Sequence, residues 1–215
     1  MWSKAKDAEL MAIKRKDFLE KGFELFSTKN IDTVTLTQVA EAAGYGIATL
    51  YRYFKTKQDF VVEVATRKWE QFQEEYKESM PQADNGEMAA AERFAFYLES
   101  FLELYRKHSD LLRFNQFFNV YVRDEHVDAG TLQPYRDMIA NLRERFHAMY
   151  LKAAQDKTLR TDVPEEEMFS TSLHLMLAAV TRYAVGLVYI PENVFDAEKE
   201  LKALKEMLLD RYRVH

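Results

Sequence analysis

The chain has 215 residues, which is enough for one large domain or for a small domain joined to a larger one. Its composition is 47% hydrophobic with only four prolines and six glycines, which favours a helical globular protein over a disordered or collagen-like chain. Because the sequence contains no cysteine, disulfides, zinc–thiolate sites and a cysteine nucleophile are excluded.

The formal net charge of −5 is distributed unevenly along the chain. Residues 1–68 contain twelve Lys and Arg against nine Asp and Glu, a net of +3 that leaves −8 on the remainder. A basic N-terminal segment on an acidic body is expected if only the N-terminal segment meets phosphates. Ordinary charge scatter is the alternative interpretation.

The N-terminus leads into charged residues without an apolar core segment, so we predict no signal peptide. The apolar stretch at residues 171–190 is interrupted by His174 and Arg182. An arginine at the centre of a bilayer costs roughly 2.5–3.5 kcal/mol on insertion scales. We therefore predict a buried helix at this stretch and a cytoplasmic protein.

Helical periodicity dominates the sequence, and no stretch shows convincing strand alternation. The predicted fold is all-α, with about nine helices. These helices are predicted at about residues 5–27, 35–43, 47–54, 56–80, 88–107, 110–123, 131–155, 164–189 and 195–213.

Signals for the start of the second predicted helix are complete. Thr35 can cap the helix, Gln38 can complete a capping box, and Val34 and Val39 can form a hydrophobic staple. Gly44 supplies a left-handed stop before the next helix. Two short helices joined by such a turn predict a helix-turn-helix, whose second helix enters the major groove of DNA.

Residues 18–60 resemble the DNA-binding domain of the tetracycline repressor (TetR/AcrR) family. The stretches that match are Leu25-Phe26, Thr35 through Ala43-Gly44, and Ala48-Thr49-Leu50-Tyr51-Arg52-Tyr53-Phe54-Lys55-Thr56-Lys57. The rest of the chain is similar only in length and helical content. The resemblance implies an N-terminal three-helix helix-turn-helix domain at residues 1–60 and a C-terminal helical bundle for ligand binding and dimerisation at residues 61–215.

The resemblance also implies which residues contact an operator. Thr35 and Thr37 are expected to contact DNA from the first helix of the motif, and Arg52, Tyr53 and Lys57 are expected to bind phosphates. The full set of expected DNA contacts is Thr35, Thr37, Tyr45, Ile47, Ala48, Thr49, Tyr51, Arg52, Tyr53 and Lys57.

Several of these positions have a second interpretation. Gly46 stands where the family usually has a hydroxyl cap, which weakens the cap slightly. Ile47 and Ala48 offer no hydrogen bonds, so base readout is expected to use thymine methyl groups. Half-buried packing is the alternative for Tyr51, and a solvated charge is the alternative for Lys57.

The resemblance assigns the later helices to ligand binding and to pairing of the last two helices across a two-fold axis. The helix predicted at residues 164–189 is apolar nearly all round, so it must be buried on every side, and a second subunit would bury it. Small-ligand pockets are lined by apolar and aromatic side chains with a few polar groups. The expected ligand contacts are Trp69, Phe72, Phe101, Phe114, Phe118, Tyr135, Met138 and His174. Ordinary core packing is the alternative for these side chains.

We find no phosphate-binding loop, dinucleotide fingerprint, zincin motif or nucleophile elbow, and the five histidines lack metal-ligand spacing. We therefore predict no enzymatic activity, no cofactor and no metal. The predicted function is a ligand-responsive transcription regulator, expected to act as a repressor, that binds a palindromic operator as a homodimer and senses a small, largely apolar molecule. The alternative is a protein anchored to DNA whose C-terminal body binds another protein.

Overall fold

The computed structural model describes residues 4–79, 88–186 and 196–215. Within these ranges there are nine α-helices, one 3-10 helix at Ile31–Thr33, and no β pairing beyond an isolated bridge between Leu159 and Arg213. The all-α prediction is confirmed. The α-helices are α1 (Lys4–Phe26), α2 (Leu36–Ala42), α3 (Ile47–Leu50), α4 (Lys57–Ser79), α5 (Ala90–Lys107), α6 (Ser109–Asp124), α7 (Gln133–Asp156), α8 (Glu165–Ala184) and α9 (Ala197–Tyr212).

Two helices end earlier than predicted. The third was predicted to reach residue 54, but α3 ends at Leu50, whose carbonyl then accepts from the backbone N–H groups of both Tyr53 and Phe54 in tight turns. The eighth was predicted to reach residue 189, but Gly186 has a φ of 76°, a left-handed conformation that ends α8. Residues 187–189, the loop predicted at 82–87 and Pro191 lie outside the described residues.

The described chain forms two compact units. The first contains the described residues up to Trp69 together with Arg113–Asp137, and the second contains those within Glu70–Leu112 and Met138–His215. Helices α4, α6 and α7 each contribute residues to both units. These units are defined by which residues pack together. The division into two functional domains that was expected at residue 60 stays a prediction.

Helices α1 and α4 approach closely in the first unit because a glycine faces an aromatic ring. A Cβ atom at Gly22 would lie 2.5 Å from Cζ and 2.7 Å from Cε1 of Phe60. Phe60 is fully buried, and its ring also packs against Phe54 and Phe26 at centroid distances of 4.8 and 5.9 Å. Position 22 of α1 therefore has room only for the hydrogen atom of a glycine and not for a larger side chain.

In the second unit, α5 packs against α8 and α9, and α8 packs against α9. An ion-pair network lies along α5 and α9, where Arg106 bonds to Glu99 at 2.7 Å, to Glu103 at 2.9 Å and to Glu198. The hydrogen bond from Arg106 lowers the pKa of Glu198 to about 2. No helix in the described ranges combines the length and the apolarity that a bilayer crossing requires.

Gly22→Ala is expected to lower the free energy of unfolding by roughly 1–3 kcal/mol, because the added methyl group overlaps the Phe60 ring. At an uncrowded helix position the same change would stabilise by up to about 1 kcal/mol. Urea denaturation of the purified protein measures the difference.

The matched control is the same change in a Phe60→Leu background. A smaller side chain relieves the overlap, so Gly22→Ala should cost less there than in the wild type. An equal cost in both backgrounds would show that the contact with the ring is not the cause.

Candidate nucleic-acid interface

The predicted start of α2 is present in the structure. The backbone N–H of Thr35 donates to Oε1 of Gln38 at 2.8 Å, and the backbone N–H of Gln38 donates to Oγ1 of Thr35 at 3.2 Å. These reciprocal bonds form the predicted capping box and satisfy two N–H groups that the helix leaves free. The hydroxyl of Thr35 is therefore already used as a cap.

The turn between α2 and α3 is built on Gly44. This residue has a φ of 77°, and its N–H donates to the Glu41 carbonyl at 3.0 Å while that of Tyr45 donates to the Ala40 carbonyl at 2.9 Å. Helix α3 packs on α2, with Leu50 fully buried. The helix-turn-helix geometry predicted from the sequence is thus in place.

Half of the expected DNA contacts are exposed. Tyr51 has 54% of its surface exposed, which is high for a large aromatic side chain and disfavours the packing interpretation. The exposed contacts are Thr35, Thr37, Ala48, Tyr51 and Arg52. The half-buried contacts are Tyr45, Ile47, Thr49, Tyr53 and Lys57.

Tyr45 is held in place by α1. Its hydroxyl donates to Oδ2 of Asp17 at 2.7 Å, its ring meets Phe18 edge-on at 5.2 Å, and Nζ of Lys14 lies 5.4 Å from its ring centroid. The hydrogen bond to Asp17 raises the pKa of the Tyr45 phenol. Asp17 and Lys14 were not among the predicted site residues, because nothing in the local sequence marks partners so far along the chain; Asp17 is 28 positions from Tyr45.

Lys57 has a structural role that the sequence did not indicate. Its ammonium donates to the carbonyls of Ile31 at 2.6 Å and Asp32 at 3.3 Å, and it lies 5.7 Å from the ring centroid of Tyr121 on α6. Burial lowers the pKa of Lys57 against the opposing effect of Asp32 and Glu125. This side chain joins the 3-10 helix to α4, and its predicted contact with phosphate stays a prediction.

The expected ligand contacts are divided between the two units. Within the first unit, the ring of Phe118 lies 4.9 Å from that of Tyr135 and 5.9 Å from that of Phe114. The contacts in this unit are Trp69, Phe114, Phe118 and Tyr135, and those in the second unit are Phe72, Phe101, Met138 and His174.

In the second unit, three of the four expected ligand contacts are buried and the fourth is exposed. Phe72, Phe101 and Met138 are buried, and Nε2 of Gln73 lies 3.0 Å from Sδ of Met138. His174 is exposed on α8, so its predicted role as a polar group inside a pocket has no support from its position. No group of three or more potential metal ligands occurs in the part of the chain that the structure describes.

A family model for bacterial regulatory proteins of the tetR family matches residues 18–64, which run from the last part of α1 through the 3-10 helix, α2 and α3 to the start of α4. No curated protein matches the chain. A TetR-family transcriptional regulator from Vibrio parahaemolyticus is 19% identical, with 94% of this chain and 100% of that chain covered and a TM-score of 0.64.

Two further solved structures share the fold. A transcriptional regulator from Saccharomonospora viridis in complex with choline is 16% identical, covers 95% of this chain and 100% of its own, and has a TM-score of 0.73. The regulator FadR from Bacillus subtilis in complex with stearoyl-CoA is 16% identical, covers 90% of this chain and 97% of its own, and has a TM-score of 0.67. The family match shows that residues 18–64 are similar to the helix-turn-helix segment of bacterial regulatory proteins of the tetR family, and the solved structures share the helical fold of the chain.

Proposed function

We propose that this protein is a cytoplasmic, ligand-responsive repressor that binds a palindromic operator as a homodimer and is not an enzyme. The observation that carries the proposal is the surface of the helix-turn-helix. Tyr51 is 54% exposed beside the exposed side chains of Ala48 and Arg52, while Leu50 between them is fully buried. An aromatic group, a methyl group and a guanidinium presented by one anchored turn suit contacts to base edges and phosphates.

The response to a ligand is supported by the fold and by the relatives. Structures of the same fold hold choline in one protein and stearoyl-CoA in another. Helix α4 runs from Lys57 in the first unit to Ser79 in the second, so a displacement of α4 would reach the helix-turn-helix. A tenfold loss of operator affinity needs only about 1.4 kcal/mol of coupling between the two sites.

Dimerisation is supported by apolar side chains that the single chain leaves uncovered. Leu175 on α8 is 47% exposed and Met207 on α9 is 62% exposed. The expectation that α8 is buried on every side does not hold within one chain, because Leu175 and Ala178 face outward. Leu201 and Leu208 of α9 are buried inside the protomer, so the proposed interface uses the opposite side of that helix.

The proposed phosphate contacts are tested by comparing Arg52→Ala with Lys57→Ala. Arg52→Ala should reduce the slope of log affinity against log salt by about 0.9 for each phosphate contact, or about 1.8 for a symmetric dimer, and leave stability unchanged. Lys57→Ala should lower the free energy of unfolding by roughly 1–2 kcal/mol, because it removes charge-assisted bonds to two backbone carbonyls.

Fluorescence anisotropy with a labelled operator, chosen from a random library, gives the slopes, and urea denaturation gives the stabilities. A smaller salt slope for Lys57→Ala as well would confirm its predicted phosphate contact. A wild-type affinity that does not depend on salt, or the absence of any selected sequence, would contradict the proposed function.

Base readout through methyl groups is tested by replacing thymine with uracil in the selected operator, one position at a time. Loss of one methyl group that packs on Ala48 or Ile47 removes about 0.8 kcal/mol, which is about a fourfold loss of affinity. Positions that show no effect in the half-site serve as internal controls.

Whether Ala48 makes the contact with the thymine methyl group is tested by repeating the titration with Ala48→Gly. The ratio of affinities for thymine and uracil should then fall towards one at the contacted position, whatever the variant does to overall affinity. A ratio unchanged by Ala48→Gly would assign the methyl contact to another residue.

The proposed dimer is tested by Leu175→Glu and Met207→Glu. Each places an unpaired carboxylate in the proposed interface, where desolvation costs several kcal/mol, so the variants should sediment as monomers and lose operator affinity. Leu151→Glu on α7, where the leucine is 51% exposed, is the matched control and should stay dimeric. Dissociation by Leu151→Glu alone would move the interface to α7.

A further inference from the structure

Helix α3 is four residues long, and its own side chains give it one firm anchor. Leu50, its last residue, is fully buried, whereas Ile47 at its start is half-buried and Ala48 is exposed. No side chain caps the start of the helix, because Gly46 occupies the N-cap position. So short a helix cannot hold its orientation through its own backbone bonds, and its start needs support from a residue outside it.

Tyr45, immediately before the cap, is bonded to the two preceding helices. Its phenol donates to Oδ2 of Asp17 on α1 at 2.7 Å, and its ring meets Phe18 on the same helix edge-on at 5.2 Å. Its backbone N–H donates to the Ala40 carbonyl of α2 at 2.9 Å. The side chain of Tyr45 therefore ties the start of α3 to α1, while Leu50 ties its end to the core.

The bond to Asp17 uses the only proton of the Tyr45 phenol. An ionised carboxylate can only accept, so the phenol is the donor in this bond. The oxygens of a DNA phosphate also only accept, so they cannot bond to the phenol while its bond to Asp17 lasts. The negative charge of Asp17 would also repel a phosphate at the same place. A direct bond from the Tyr45 hydroxyl to phosphate therefore conflicts with this arrangement.

We propose that Asp17 is a positioning residue for DNA recognition, which holds Tyr45 and thereby fixes the orientation in which α3 faces the base edges. Tyr45 then contributes to the choice of operator through its bond to Asp17, and not through a bond from its hydroxyl to phosphate. The proposal rests on the proposed function, because it names residues that set the selectivity of the same interface.

Three substitutions separate positioning from charge and from direct contact. Tyr45→Phe removes the donor, Asp17→Ala removes the acceptor, and Asp17→Asn removes the charge but keeps an oxygen that accepts. Tyr45→Phe and Asp17→Ala should each lower the ratio of operator affinity to random-DNA affinity by about 3- to 10-fold for each half-site, the effect of one hydrogen bond. Asp17→Asn should keep the wild-type ratio, while its affinity for both DNAs rises because a negative charge near phosphates is lost.

Fluorescence anisotropy with the selected operator and a scrambled duplex, at one salt concentration, gives these ratios. Equal weakening of both DNAs by Tyr45→Phe would assign the phenol to a phosphate contact and overturn the proposal. An equal rise for both DNAs in Asp17→Ala would also overturn it, because Asp17 would then act only through its charge. The double variant should lose no more selectivity than either single variant, since both remove the same bond, and additive losses would contradict the proposal.

Amide hydrogen exchange of the DNA-free protein, followed by mass spectrometry, gives a readout that does not depend on operator binding. The backbone N–H of Tyr51 donates to the Ile47 carbonyl of α3 at 3.1 Å. The peptide that contains this amide should exchange about 3- to 10-fold faster in Tyr45→Phe and Asp17→Ala than in the wild type, because the start of α3 opens more often. Asp17→Asn should restore the wild-type rate, and exchange in α2 should not change.

Glu24→Ala is the matched control. It removes the same charge from the same helix at an exposed position, where the carboxylate pairs with Nζ of Lys21 at 2.8 Å. It should leave both the affinity ratio and the exchange of α3 at their wild-type values. If the wild type selects no operator, the proposed function fails, and the exchange rates still decide whether Asp17 and Tyr45 hold α3. Unchanged exchange of α3 in Tyr45→Phe and Asp17→Ala would overturn the positioning role even where operator binding is intact.

Discussion

The first unit is assembled around the contact of the Phe60 ring with α1. Phe60 touches Phe26 at the end of α1 and Phe54 just after α3, and Gly22 allows the helices to approach until the ring fills the gap. Because α3 is only four residues long, its own backbone bonds cannot hold its orientation. The buried neighbours of Phe60 supply that orientation, so the recognition surface depends on the packing beneath it.

Buried and exposed side chains alternate over residues 50–54. The buried side chains stabilise the fold, and the exposed ones are available for binding. Leu50 and Phe54 are buried and hold the turn, whereas Tyr51 and Arg52 between them are left in water. An exposed tyrosine adds little to the stability of the isolated protein, and the proposed contact with DNA would bury it. The bonds of Lys57 to the carbonyls of Ile31 and Asp32 add a second support, from α4 to the loop in front of α2.

Features set by neighbouring residues were predictable from the sequence, and features set by distant residues were not. The capping box of Thr35 and Gln38 and the left-handed turn at Gly44 depend on residues within a few positions, and both were predicted. Lys57 binds backbone carbonyls 25 and 26 positions away, and an exposed lysine was the simplest interpretation of its sequence context.

The ligand contacts expected from the sequence stay a prediction, because aromatic residues occur in both units and their number does not show which ones share a core. The end of α8 shows the same limit, because an apolar run that continues past Gly186 hides the glycine that stops the helix.

The missing side-chain cap at Gly46 has a consequence for how this regulator can change over evolutionary time. Helix α3 begins without a bond from its first side chain, and a Cβ at Gly46 would meet no other atom within 4 Å. A serine there would fit and would order the helix before DNA arrives, which lowers the entropy lost on binding. If the protein binds operators as proposed, position 46 would tune the affinity for all of them together, and the choice among operators would stay with the neighbouring side chains.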